Sequence, residues 1–371
     1  MDENSRGFAP WVLIGNNRTY NRRQSGFGRS MELLSLHISE DRHARFQDRN
    51  LFYSPQLRCW ISFDPEVVLD LLRDKRLVVP DALEAIKRLE AHFNRPFPNL
   101  TFAARCIPLL VEGSIHREIR RRLAEFLTEG RVRTTAALPR LMEQYVEPLN
   151  GRRQVEWIRG CMAPMVADMF SRMCDFPAPL PFPTLVITRV FDRFASLAAF
   201  GEAEKQAAAL RERIAKDVPH LDEETLFAAL VLGRDPTLGT LGTSLLYILR
   251  RNLNRPLATI DFPDYPPETG VGIAERIATE AIEVDGETIA AGDRVRLYYQ
   301  PISAEDSTVH RQNLFGAGAH SCLGRPIALD LWRALTRTLR RFSGRVTSVD
   351  VEFEPSTLFV VPRRLETGHE T

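Results

Sequence analysis

Residues 314–328 read LFGAGAHSCLGRPIA. The glycines of Phe315–Gly318 describe a loop whose backbone can come close to a flat ligand. Cys322 stands just before a predicted helix with Pro326 in its first turn and an apolar stripe of Ile327, Leu331, Leu335 and Leu339 at helical spacing. The free N–H groups and positive dipole end of such a helix favour a thiolate at Cys322.

The other cysteines sharpen this. The chain of 371 residues has five, Cys59, Cys106, Cys161, Cys174 and Cys322, with no C-x-x-C pair among them. That argues against a zinc ribbon, an iron–sulfur cluster or a disulfide scaffold. A single thiolate suits one axial bond to a haem iron, with hydrogen-bond donors aimed at the sulfur. A buried structural cysteine is the bland alternative, and for a lone cysteine it would win. Here the whole pattern F-G-x-G-x-H-x-C-x-G-x-x-x-A runs without a gap from Phe315 to Ala328, which favours ligation.

Net charge is +1 and 44% of residues are hydrophobic, so nothing steers the whole molecule toward nucleic acid. No window approaches eighteen apolar residues, and the start, MDENSRGFAPWVLIGNN, lacks a basic segment followed by a long apolar one. The expectation is a cytoplasmic protein without a signal peptide or a membrane partner.

Outward from the loop, the pattern predicts a mostly α chain with small β-sheets. Residues 1–50 are polar and predict an irregular, exposed arm; residues 51–371 predict a single domain. Leu57 to Phe63 reads as a strand, followed by a helix with Asp64 as N-cap and Pro65 at its first position. A very basic helix is predicted from Ile115 to Leu127, a polar one from Gly201 to Val218, and a long apolar one from Asp222 that Pro236 and several glycines interrupt. Glu283 to Tyr299 predicts a β-hairpin around Asp285-Gly286. The last strands are expected at Val349 to Phe353 and Leu358 to Val361.

The cysteine segment resembles the cysteine loop of the cytochromes P-450. RCWISFDPEVVLDLLRDKRL (residues 58–77), EGSIHREIRRRLAEFL (112–127) and RIATEAIEVDGETIAAGDRV (276–295) are similar to further segments of that superfamily. The resemblance implies a P-450-like fold with heme b as cofactor and Cys322 as the iron ligand. Phe315 would shield the sulfur, with Gly318 and Gly324 in the same loop. His116, Arg120, Arg276 and His320 would hold the haem propionates; His116 and Arg120 lie four apart on one helix face.

The chain departs from the superfamily at two places. LGRDPT, residues 232–237, aligns with a segment where relatives carry an acid followed by Thr; Asp235 fits, and Pro236 replaces the alcohol. Asp235 and Thr237 are the candidate catalytic residues, the second only if Pro236 distorts the helix. RRNLNRPLATIDFPDY, residues 250–265, contains no E-x-x-R and too little chain for the usual two helices, and residues 300–313 are short for the irregular stretch that follows in relatives. The helices J and K and the meander are therefore expected to be shortened.

The resemblance implies a haem-thiolate monooxygenase acting on a small apolar, natural-product-like substrate with a ferredoxin-type electron donor. Arg333, Arg337, Arg340 and Arg341 are available to an acidic donor. Two alternatives stay open. One is an atypical haem enzyme that uses peroxide or catalyses rearrangement, dehydration or coupling, suggested by Pro236 with Arg234 nearby. The other is a non-catalytic P-450-like partner protein.

Overall fold

The computed structural model describes residues 50–55, 57–179, 186–191, 195–299, 314–353 and 358–370. The expected N-terminal arm, up to residue 49, and residues 300–313 lie outside them. Strands β1 (Phe52–Ser54) and β2 (Cys59–Ser62) precede helix α1 (Pro65–Arg73), strand β3 (Leu77–Val78) and helices α2 (Ala82–Phe93) and α3 (Pro98–Cys106). Helix α4 (Gly113–Leu141), strand β4 (Gln154–Glu156) and helices α5 (Ala163–Met173), α6 (Leu197–Asp217) and α7 (Glu223–Arg251) follow. Then come strands β5 (Ile273–Ala278), β6 (Ile282–Val284), β7 (Glu287–Ile289) and β8 (Arg294–Tyr298), helix α8 (Arg325–Leu339), and strands β9 (Arg345–Phe353) and β10 (Pro362–Glu370). The chain is mostly α with small sheets, as expected.

The caps explain where the helices begin. The Asp64 side chain accepts from the N–H groups of Glu66 and Val67, with Pro65 in the first turn of α1. Asp222 accepts from Thr225 N–H at the start of α7. Ser196 caps α6, so that helix starts four residues before the expected Gly201; a Ser beside small residues is a weaker signal than an Asp before an apolar run. The basic helix α4 runs on to Leu141, well past the expected Leu127, with Gly130 packed against the Met173 side chain.

Helix α7 is the axis of the molecule. It packs against α3, α4, α5 and α6 and against β9 and β10, and most of its residues are buried. It does not break at Pro236: the helix is continuous from Glu223 to Arg251, contrary to the expected interruption. Proline removes one donor and opposes helix there, at about 3 kcal/mol, and the tertiary packing on all sides outweighs that cost.

A five-stranded sheet, in the order β1-β2-β8-β5-β3, forms the second layer; β2 and β8 are parallel and its other pairs antiparallel. Its one face carries Ala274, Val295 and Leu297 against Val68, Leu69 and Leu72 of α1, and Ala317 of the cysteine loop joins the same cluster. Arg276 pairs in register with Val295, so its side chain leaves the sheet on that face. The opposite face carries Ile273 and Tyr298 with the Glu275–Arg296 ion pair.

Two strand expectations need correction. The hairpin at Asp285-Gly286 joins only β6 and β7, with both turn residues at positive φ. Strand β8 instead crosses to the larger sheet, between β2 and β5. The last strand is Pro362–Glu370 rather than Leu358 to Val361, where Phe359 makes one isolated bridge to Val271. Arg363, Arg364 and Glu366 surround the fully buried Leu365 on this strand, a pattern that hides from a search for apolar strands.

Between α7 and β5 the described chain forms no α-helix, only a turn at Leu257–Thr259. The segment 268–271 therefore lies directly on α7. Ser244 Oγ donates to Glu268 O and accepts from Glu268 N–H, and Thr240 Oγ1 accepts from Gly270 N–H at 2.8 Å. The approach is so close that a Cβ on Gly270 would lie 2.2 Å from the carbonyl oxygen of Pro236.

Candidate active site

The cysteine loop is held by its own backbone and by two helices. Cys322 N–H donates to Phe315 O at 2.8 Å and closes the loop. Gly318, at φ +68°, lies against the end of α1, where a Cβ would meet Leu72 O at 2.3 Å; only glycine fits. Arg120 of α4 reaches across and donates to Ser321 O at 2.8 Å. Gly324 takes the N-cap position of α8, within van der Waals reach of the Cys322 sulfur.

Cys322 has accessible surface. Protein nevertheless surrounds it closely enough that burial is the largest influence on its thiol and pushes the pKa up. Both hold for a side chain that faces an interior cleft. Hydrogen bonds from the N–H groups of Gly324 and Arg325, and the charges of Arg120 and Arg325, pull the other way. The expected helix N-terminus is thus in place, but burial outweighs its pull on the thiol. The Arg325 guanidinium also lies 5.6 Å from the centre of the Phe315 ring.

His116, Arg120, Arg276 and His320 come from α4, β5 and the loop and converge beside it. The His116 and His320 rings are 4.2 Å apart. Burial pulls the pKa of both histidines down, His320 to about 4, and Arg276 adds to the effect on each. Arg276 is buried, donates to Glu275 O at 2.8 Å, and has its pKa lowered first by desolvation. Two buried ring nitrogens, His116 Nε2 and His320 Nδ1, have no hydrogen-bond partner among the described residues. Buried nitrogens of this kind call for a ligand, and four donors around them call for an anionic one. The donor set therefore fits a group that carries an axial metal and carboxylates.

The distal pair behaves differently. Asp235 is 2% exposed and sits beside the buried Arg234, whose pKa burial lowers and Asp235 raises. Thr237 instead belongs to a half-buried strip of α7 with Leu232, Gly233, Pro236 and Thr240, flanked by fully buried positions. Two positions apart on a regular helix is about 200° around it, so the unbroken helix turns Asp235 and Thr237 to different sides. The residue missed in the sequence is Glu112, whose Oε1 lies 3.1 Å from His320 Nε2. An acid four residues before His116 was the available signal.

No family model matches the chain. The nocardicin C N-oxygenase of Nocardia uniformis subsp. tsuyamanensis is 25% identical over 351 residues, covering 80% of this chain and 85% of that protein. The thermophilic cytochrome P-450 of Sulfolobus tokodaii superposes over 90% of this chain and 100% of its own, at a TM-score of 0.62 and 16% identity. P-450 BioI, solved with an acyl carrier protein ligated to hexadec-9Z-enoic acid, covers 91% and 100% at a TM-score of 0.66 and 17% identity. Proteins of this fold carry haem on a cysteine thiolate. The chain has the cytochrome P-450 fold, and its sequence resembles that superfamily through the loop that carries Cys322.

Proposed function

We propose that the chain is a haem-thiolate monooxygenase in which Cys322 ligates the iron and His116, Arg120, Arg276 and His320 hold the propionates. The observation that supports it best is the pair of unpartnered buried nitrogens on His116 and His320, beside a cysteine whose sulfur receives two backbone N–H groups. When bound, haem supplies the chemistry that inserts one oxygen atom into a substrate, and thiolate donation favours O–O cleavage.

The protein's part is to hold and to orient. The N-terminus of α8 stabilises negative charge on the Cys322 sulfur, Arg120 ties the loop to α4, and Phe315 under Arg325 shields it from one side. Gly318 keeps the loop flat against α1. Leu232 and Pro236 line the half-buried strip of α7 with apolar surface and suit a small apolar substrate of the natural-product kind. Thr237 supplies the hydroxyl on that strip for hydrogen bonding at the reacting side. Asp235 is the second candidate, acting from within the helix packing beside Arg234. Arg333, Arg337 and Arg341 are exposed along and just beyond α8 and suit an acidic, ferredoxin-type electron donor.

One observation favours a second reading. Pro236 occupies the strip where an alcohol would serve oxygen activation, and Asp235 turns away from Thr237, which suits peroxide or non-oxygenating chemistry. The carbon monoxide difference spectrum of the reduced protein tests the haem-thiolate assignment; a band typical of histidine ligation, or none, refutes it. Turnover with peroxide against turnover with reduced ferredoxin separates the two readings.

A further inference from the structure

Helix α8 begins against the ordinary rule for helix ends. Its first residue is Arg325, and no acid stands in its first turn. A cation at a helix N-terminus opposes the dipole and is disfavoured. Helices α1 and α7, by contrast, start behind an aspartate cap with glutamate in the first turn. No carboxylate among the described residues pairs with Arg325. The negative charge that answers its guanidinium is the Cys322 sulfur, which receives both the backbone N–H of Arg325 and the field of its side chain.

Two aromatic rings hold the guanidinium in place. It lies 5.6 Å from the centre of the Phe315 ring and 5.8 Å from that of Tyr265, and it donates to the Tyr265 hydroxyl at 3.4 Å. Tyr265 belongs to the connection between α7 and β5, which lies against α8. Trp332 Nε1 donates to Pro263 O at 2.9 Å, and Arg340, at the end of the helix, donates to Phe262 O at 2.8 Å. The short connection thus supplies the residue that orients Arg325 beside the cysteine loop.

We propose that Arg325, oriented by Tyr265 and Phe315, is a fixed positive charge that raises the reduction potential of the iron bound at Cys322. The proposal rests on the haem assignment above. One electron from a ferredoxin-type donor converts ferric to ferrous iron; no bond to the sulfur forms or breaks, and the site gains one negative charge. A nearby cation stabilises the reduced state more than the oxidised one. Arg325 is exposed, so water and salt screen it, and its effect is that of one surface charge. Tyr265 acts through Arg325 and is a positioning residue.

Arg325→Gln removes the charge and keeps the backbone N–H that faces the sulfur. The ferric–ferrous potential of the substrate-free protein, titrated with dithionite and redox mediators, reads the effect. The Gln variant should be about threefold harder to reduce, a fall of about 28 mV at about 59 mV per tenfold for one electron, with the thiolate band of the reduced carbon monoxide spectrum retained. Arg325→Lys keeps the charge and should stay closer to wild type than to the Gln variant. The gap between wild type and Gln should close at about 1 M salt, where the Debye length is about 3 Å. Tyr265→Ala should lower the potential of the wild type and leave that of the Gln variant unchanged. A Gln variant at the wild-type potential overturns the proposal. A gap that persists in high salt, a Lys variant as low as Gln, or an equal Tyr265→Ala shift in the Gln background assigns the effect to a displaced loop and overturns it too. A wild-type chain that takes up no hemin, or shows no thiolate band, overturns the haem assignment itself, and this inference falls with it.

Discussion

Cys322 is held between opposing influences. Burial favours the neutral thiol, while two backbone N–H groups and two arginines favour the thiolate. A metal cation tips such a balance, because coordination releases the proton. Cys322→Ala should therefore abolish the thiolate-type spectrum and all turnover, and an unchanged Soret band would mean another ligand. The propionate donors act around the edge of the same group. Alanine at His116, Arg120, Arg276 or His320 removes a charge-assisted contact worth roughly 1.5–3 kcal/mol. Each variant should lose haem faster without changing the axial ligand, and unchanged retention in all four would refute the assignment. His116 and His320 should show the clearest effect, since one buried nitrogen of each ring, His116 Nε2 and His320 Nδ1, has no partner among the described residues.

At the scale of elements, the cysteine loop depends on how closely it lies on α1. Gly318→Ala places a methyl group at 2.3 Å from Leu72 O in a backbone conformation that alanine resists. The loop would have to lift, so haem affinity should fall and the melting temperature of the haem-bound protein with it; a variant with wild-type haem retention would show that the loop tolerates displacement. The Glu275–Arg296 pair, on the far face of the sheet from Arg276, is the buried ion pair that β5 and β8 do provide. Glu275→Ala leaves Arg296 buried without its carboxylate and should cost about 3–5 kcal/mol, read by denaturant unfolding. The loop and the helix starts at Asp64 and Asp222 were legible in the sequence because each is set by local chemistry: a cap, a proline, a run of glycines. What stayed hidden depends on distant chain. Strand β8 leaves its hairpin to pair with β2, which lies more than 230 residues earlier. Glu112 approaches His320 across 208 residues. The end of α4 and the place of the last strand are likewise decided by what packs on them, not by their own residues.

At the scale of the whole molecule, the short connection after α7 changes what the axial helix can do. The segment 268–271 presses on α7 through Thr240, Ser244 and the Gly270 contact at Pro236 O. This embrace supports a helix that stays continuous through a proline that would otherwise oppose it. Pro236 still withholds one N–H from the carbonyl four residues before it, at Leu232, and puts an apolar ring where a hydroxyl would serve. Pro236→Thr should act in two separable ways. It restores a helix hydrogen bond, so the melting temperature should rise. It also places an alcohol on the half-buried strip beside Thr237. If the chain is a monooxygenase fed by ferredoxin, the fraction of electrons recovered as product should increase. If its chemistry needs no dioxygen, turnover should stay flat or fall while the thermal gain remains. A wild-type protein that already couples every electron pair to product would show that Thr237, or a group outside the described residues, fully serves the role and that Pro236 costs the reaction nothing.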